Sequence, residues 1–174
     1  MKPFILILSL SVLFTINTSF KSTVVGKDDY YIVNEKHKYE MSVFDADNNL
    51  LIIYPVVFGN KDLGDKMMQG DRKTPEGTFH ITAKRPHAKW NRFIALDYPN
   101  AESYAKFNER KAEGLIPANA AIGGEIGIHG TWPHEEFAVD DYQNWTQGCV
   151  STKNEYIQQL FNTVAVGTRV IIKK

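Results

Sequence analysis

The chain has a single cysteine, Cys149, among 174 residues, so no intramolecular disulfide can form. It also lacks an excess of charge of either sign, because 20 Lys and Arg residues balance 20 Asp and Glu residues. Without net positive charge there is no bulk attraction for a polyanion, so we expect no nucleic-acid partner. A composition of 43% hydrophobic and 23% charged residues indicates one ordinary globular domain.

Long hydrophobic runs are absent except near the N-terminus, where Lys2 precedes an apolar stretch from Phe4 to Phe14 that Thr15 then begins to dilute. This profile is typical of a signal peptide and is short for a membrane span, which needs about 20 apolar residues. We therefore predict a signal peptide or N-terminal anchor over residues 1–21 and one domain over residues 22–174. The protein is expected in the periplasm or cell envelope, with membrane association only through an uncleaved leader.

Short apolar segments separated by polar turns predict a mainly β fold, a sandwich or barrel-like domain with one or two peripheral helices. Strands are expected over residues 30–33, 39–44, 50–58, 78–82, 92–98, 125–129 and 169–172, and helices over residues 101–112 and from about residue 153. Thr152 and Glu155 have the spacing of a capping box for the second helix. Residues 59–77 are rich in glycine and predict a long loop, and Gly127 predicts a close backbone approach.

Cys149 is unusual because an unpaired thiol is uncommon in an exported protein. It follows Gly148 and precedes the second predicted helix, where the helix dipole would favour a thiolate. A thiol with an ordinary pKa still requires a basic neighbour to become a nucleophile. His129 is the best candidate, because it ends an apolar strand and is followed by Gly130, whereas His87 follows Pro86 and has no comparable setting.

Several interpretations stay open from the residues alone. Cys149 can be a buried hydrophobic residue or half of an intermolecular disulfide, and His129 a hydrogen-bonded structural group. A zinc site of His129, His134 and Cys149 is a further alternative, although Pro133 prevents a helical pair of histidines and no fourth ligand is evident. We therefore expect no metal and no cofactor.

Four segments carry a resemblance to a known family. They are "IGIHG" over residues 126–130, "TQGCV" over residues 146–150, "GDRKTPEGTF" over residues 70–79 and "NTVAVGTRVII" over residues 162–172. Together they resemble the L,D-transpeptidase catalytic domain family, also called YkuD, over residues 30–174. "LDYPN", residues 96–100, and the glycine pair before "IGIHG" look most like the YafK-type branch.

The resemblance implies that Cys149 is the nucleophile and His129 the base, held by the carbonyl of Gly130. The candidate oxyanion donors are the N–H groups of Gly148 and Cys149, with that of Gln147 as a further candidate. Gln147 stands where many members have histidine, and Ser151 where many have arginine. Ser151, Arg72, Trp132 and Trp145 are candidate substrate-binding residues, with stabilisation of its own turn as the other role for Arg72. Trp132, Trp145, Tyr142 and Phe137 are candidates for an apolar wall over the site or for ordinary packing of a long loop.

The implied activity is cysteine-dependent acyl transfer on peptidoglycan stem peptides, in cell-wall biogenesis and the maintenance of cell shape. A thioester on Cys149 would pass to an amine acceptor, a second stem or an envelope protein, which is transpeptidation. Transfer to water would make the protein an L,D-carboxypeptidase or endopeptidase. A non-catalytic envelope module that only binds wall peptides is the alternative from another class.

Overall fold

The computed structural model describes residue 26 and residues 28–174, so the predicted leader lies outside the described residues. None of the helices in this part of the chain has the length and apolar character needed to span a membrane. The described strands are β1 (Tyr30–Glu35), β2 (Glu40–Asp45), β3 (Leu50–Pro55), β4 (Gly77–His87), β5 (Asn91–Leu96), β6 (Gly127–His129), β7 (Val150–Ser151) and β8 (Arg169–Lys173). The described α-helices are α1 (Ala101–Ala112), α2 (Phe137–Asp140) and α3 (Asn154–Thr163).

The eight described strands form one sheet in the order β3-β2-β1-β8-β4-β5-β6-β7. Most neighbours are antiparallel, but β1 pairs with β8 and β6 pairs with β7 in parallel. Strand β4 joins the two halves, because Gly77 to His80 pair with β8 and Ile81 to His87 pair with β5 across an irregularity in register. Such an irregularity bends a strand, so the sheet curls.

The two edges of the curled sheet meet beside the site described below. Val57, just beyond β3, exchanges two backbone hydrogen bonds of 2.8 and 2.9 Å with Ser151 of β7. The main core lies within the curl and against α3, and it includes Ile32, Met41, Val43, Phe79, Ile94, Ile128, Val150, Ile157, Leu160, Val170 and Ile172. The predicted mainly β, barrel-like architecture is confirmed.

The predicted close approach at Gly127 is confirmed as well. A Cβ atom there would lie 2.6 Å from both the Ile94 carbonyl oxygen and the Phe93 ring. Strands β5 and β6 can pair at this position only because Gly127 has no side chain.

The structure differs from the predicted elements most at β3, β4, β7 and α2. Strand β4 has eleven residues instead of five, β3 ends at Pro55, and β7 and α2 were not predicted. The capping box is wrong, because α3 begins after Lys153 without a side-chain cap, and Thr152 Oγ1 donates instead to the Pro55 carbonyl at 2.8 Å. Glu136 accepts the N–H of Asn154 at 2.8 Å in its place. The first turn of α3 is thus stabilised by a carboxylate from another segment, which the local sequence could not reveal.

Candidate active site

Cys149 and His129 line one cavity of about 590 Å³. They reach it from neighbouring strands, since His129 ends β6 and Cys149 immediately precedes β7. The parallel pairing of Ile128 with Val150 fixes this arrangement. The full lining is Arg85, His87, Trp90, Phe93, Gly124, Glu125, Ile126, His129, Trp145, Thr146, Gln147 and Cys149.

The imidazole of His129 is held by its own neighbour. Its Nδ1 lies 2.7 Å from the Gly130 carbonyl oxygen. A carbonyl can only accept, so Nδ1 carries the hydrogen and the lone pair is left on Nε2. Burial lowers the pKa of His129 to about 4, against the raising effect of the Gly130 bond, and His87 lowers it further. The ring is therefore neutral at pH 7 and can accept a proton.

Aromatic rings enclose the imidazole. Trp90 stacks on it with centroids 4.4 Å apart and an interplanar angle of 22°. Phe93 lies 6.0 Å away in a near-parallel arrangement, and Trp145 meets the imidazole edge-on at 5.4 Å. Trp90 is itself stacked on His87, with centroids 4.3 Å apart. These contacts fix the ring plane of His129 and exclude water from it.

Cys149 lies in the cavity wall as a partly buried free thiol. Its Sγ contacts the Glu125 carbonyl oxygen at 3.4 Å. Burial raises the pKa of Cys149 to about 11, opposed by a hydrogen bond from the Gly127 N–H, while the nearby Glu125 charge raises it further. The predicted help from a helix dipole is corrected, because β7 lies between Cys149 and the start of α3 at Asn154. The resting pair is thus a neutral thiol and a neutral imidazole.

The segment before Cys149 is a tight turn built on Thr146. The Thr146 hydroxyl donates to the Cys149 carbonyl at 2.7 Å and accepts the Gly148 N–H at 3.1 Å. The prediction of Gly148 as an oxyanion donor is therefore wrong, because its N–H already donates to the Thr146 hydroxyl. The N–H groups of Gln147 and Cys149 make no hydrogen bond to another described residue, so they are the remaining candidates.

Arg72 secures this turn from the long loop over residues 59–77. Its guanidinium donates to the carbonyl oxygens of Gly59 at 3.0 Å and of Trp145 and Thr146 at 3.2 Å. Arg72 therefore holds backbone together, in agreement with a turn-stabilising role, and it does not line the cavity, so its alternative role as a substrate-binding residue is wrong. The loop also packs tightly on the turn, because a Cβ atom on Gly148 would lie 2.8 Å from the Lys73 carbonyl oxygen.

Ser151 is fully buried and does not line the cavity. Its hydroxyl donates at 3.3 Å to the Gly130 carbonyl, the same oxygen that holds His129 Nδ1. Its prediction as a substrate-binding residue is corrected to a positioning contact on that carbonyl.

Among the predicted aromatic residues, only Trp145 lines the cavity. Trp132 meets Trp90 in a T-shaped arrangement with ring centroids 6.4 Å apart. Exposed Tyr142 packs on Tyr39 with ring centroids 5.2 Å apart. Phe137 lies with His134 along a separate surface depression. His134 thus lies outside the cavity that His129 lines, and the described residues contain no cluster of three or more potential metal ligands.

Sequence reasoning missed the contribution of the β4–β5 hairpin. Arg85, His87, Trp90 and Phe93 all reach the cavity from it, although His87 was set aside on its local sequence. The detectable signal was the density of ring-bearing residues over residues 87–93. Their convergence on His129 follows from cross-strand pairing, which no local pattern reports.

Comparison with known proteins agrees with this geometry. The family model for the L,D-transpeptidase catalytic domain matches residues 28–172. YqjB of Bacillus subtilis (strain 168), whose name assigns it provisionally to the L,D-transpeptidases, is 32% identical over 146 residues, covering 83% of this chain and 71% of its own.

Solved structures share the fold at lower identity. Pgp2, the helical cell shape determining protein of Campylobacter jejuni, has a TM-score of 0.60 at 22% identity, covering 83% of this chain and 47% of its own. Bd1075 of Bdellovibrio bacteriovorus has a TM-score of 0.59 at 20% identity, covering 84% and 48%. The chain thus spans about half the length of these two solved structures. The family match over most of the chain, with the cysteine and histidine in one cavity, shows that the chain belongs to the L,D-transpeptidase catalytic domain family.

Proposed function

We propose that this protein catalyses acyl transfer on peptidoglycan stem peptides through a thioester on Cys149, with His129 as the general base. One observation carries the proposal: the thiol and the carbonyl-anchored imidazole line the same cavity. A nucleophile, a base and an orienting group for the base are the parts that nucleophilic catalysis requires.

In the first half-reaction, His129 Nε2 takes the Sγ proton while sulfur bonds to the peptide carbonyl carbon. The N–H groups of Cys149 and Gln147 donate to the oxyanion that forms on the carbonyl oxygen. Collapse of the tetrahedral intermediate breaks the C–N bond, and the departing amine takes the proton from Nε2. The products are the thioester and a free amine such as D-alanine.

In the second half-reaction, an acceptor amine attacks the thioester and gives its proton to His129. The C–S bond breaks, and the sulfur recovers a proton from the imidazolium. The stacked Trp90 ring, 4.4 Å from the imidazole, stabilises the transient positive charge by a cation–π interaction. Attack by water in place of the amine gives hydrolysis by the same atoms.

The family and its relatives support the substrate class. L,D-transpeptidase names, and a structural relative named for cell shape, support a wall-peptide substrate and a site of action in the cell envelope. The acceptor is a second stem peptide or an envelope protein. Membership of the YafK-like branch stays a prediction.

The test is mass spectrometry of purified muropeptides incubated with the wild-type protein and with Cys149→Ser. We expect a protein mass increase equal to one acyl stem on Cys149, followed by cross-linked dimers, neither of which forms with Cys149→Ser. Trimmed stems without dimers would assign hydrolysis. Unchanged muropeptides and an unmodified Cys149 in folded protein would refute the proposal in favour of a binding module.

A further inference from the structure

The cavity carries one permanent positive charge in its lining, Arg85 of β4. The two histidines of the lining have lowered pKa values, His87 through burial and the charges of Arg85 and Lys89, and His129 chiefly through burial. Neither histidine therefore adds a permanent positive charge to the lining. Glu125 is the corresponding acidic residue of the lining.

The sheet places Arg85 in line with the base. Arg85 pairs with Phe93 across β4 and β5, and Phe93 pairs with His129 across β5 and β6. Directly paired residues point to the same face of a sheet, and two strand spacings amount to about 10 Å. The row therefore sets Arg85 about 10 Å from His129 across the sheet, which is the length of about three residues of extended peptide.

The guanidinium of Arg85 is oriented but not neutralised. Its central carbon lies 4.9 Å from the Phe93 ring centroid, a stacking contact that restricts the planar group. The ion pairs of residues 26 and 28–174 include none with Arg85. An exposed, ring-supported guanidinium in a catalytic cavity is prepared to bind an anion, and carboxylate is an anion that its fork of N–H groups fits.

The other arginine near the site cannot serve this purpose. Arg72 uses its N–H groups on three backbone carbonyls and does not line the cavity. Ser151, the position where a basic residue was expected by resemblance, is fully buried. A positive charge for the bound peptide can come from the lining only through Arg85.

We propose that Arg85 is a specificity-determining residue that binds a carboxylate of the stem peptide in the acyl-donor site. The inference rests on the proposed function, because it takes the occupant of the cavity to be a wall peptide. Stem peptides offer two sources of this group: the C-terminal carboxylate of the leaving D-amino acid and the free carboxylates of internal residues.

The test measures binding of a synthetic tetrapeptide stem by calorimetry in a Cys149→Ala background, where no turnover occurs. Adding Arg85→Gln should weaken binding about tenfold, the loss expected for one partly exposed charge-assisted pair. Arg85→Lys should recover only part of this, since an ammonium cannot make the bidentate contact. Lys89→Gln, an exposed charge change in the same hairpin outside the lining, should stay within about twofold.

Two modified peptides identify the carboxylate. A peptide with a C-terminal amide should bind equally well with and without Arg85→Gln if the terminal carboxylate is the ligand. A peptide whose internal carboxylate is replaced by a carboxamide should bind equally well with and without Arg85→Gln if that internal carboxylate is the ligand.

Equal binding of the unmodified peptide with and without Arg85→Gln, at an unchanged melting temperature, overturns the proposal. If the background protein binds no stem peptide, the inference also fails. The muropeptide assay then shows independently whether the proposed function fails with it.

Discussion

The protonation state of the resting thiol provides the sharpest test of the site. A pKa of about 11 for Cys149 in place of 9.0 lowers its thiolate fraction at pH 7 from about one in 100 to about one in 10,000. A thiolate of higher pKa is intrinsically more nucleophilic, and a difference of two pKa units recovers about tenfold in rate. Alkylation of the folded protein at pH 7 should therefore be about tenfold slower than that of an unperturbed thiol with equal access.

The assay is the rate of iodoacetamide labelling between pH 5 and 10, followed by intact mass. Because Cys149 is the only cysteine, the same chain unfolded in guanidinium supplies the unperturbed reference. The rate for folded protein should rise about tenfold per pH unit up to pH 10, and the unfolded chain should level off earlier. His129→Gln should keep this slope below pH 9, since the imidazole is neutral there.

A plateau of the labelling rate between pH 5 and 8 would refute this reasoning. Such a plateau arises from a preformed thiolate–imidazolium pair, in which the two groups titrate together. Its loss in His129→Gln would identify the pair directly. Proton transfer would then precede substrate binding and would not accompany attack on the carbonyl.

Three further predictions concern stability and the base. As the pH falls below 6.5, His129 is protonated in the unfolded chain before it is protonated in the folded protein. This difference should lower the free energy of unfolding by about 3 kcal/mol between pH 6.5 and 4. His129→Gln should lack this contribution, so its free energy of unfolding should fall by about 3 kcal/mol less over the same range. Gly130→Ala should lower acylation at least about tenfold, because its Cβ would lie 2.2 Å from Asn154 Oδ1 and displace the carbonyl that orients the base; unchanged acylation would contradict this. Lys36→Met should cost about 2–3 kcal/mol in urea unfolding, since buried Lys36 Nζ bonds Glu76 at 2.7 Å and the Gly64 and Thr74 carbonyls; a loss below about 1 kcal/mol would show that the loop does not depend on it.

The candidate nucleophile and base were accessible from the sequence because their requirements are local. The carbonyl that holds His129 belongs to the next residue along the chain, and the turn that presents Cys149 is built from Thr146 to Cys149. Glycine is required at 130 and 148, where a side chain would strike neighbouring backbone or side-chain atoms. Requirements of this kind leave a fixed order of residue types in the sequence.

Periodicity was therefore enough to predict the fold class, and the local motifs were enough to single out Cys149 and His129, which line one cavity. The surroundings of these two residues depend on contacts between distant segments. Cross-strand register brings Arg85, Phe93 and Trp90 to His129, and inward packing turns Arg72 and Ser151 from substrate contacts into supports. The pKa of the thiol belongs with these long-range effects, because desolvation depends on what packs around a group and not on its neighbours in the chain.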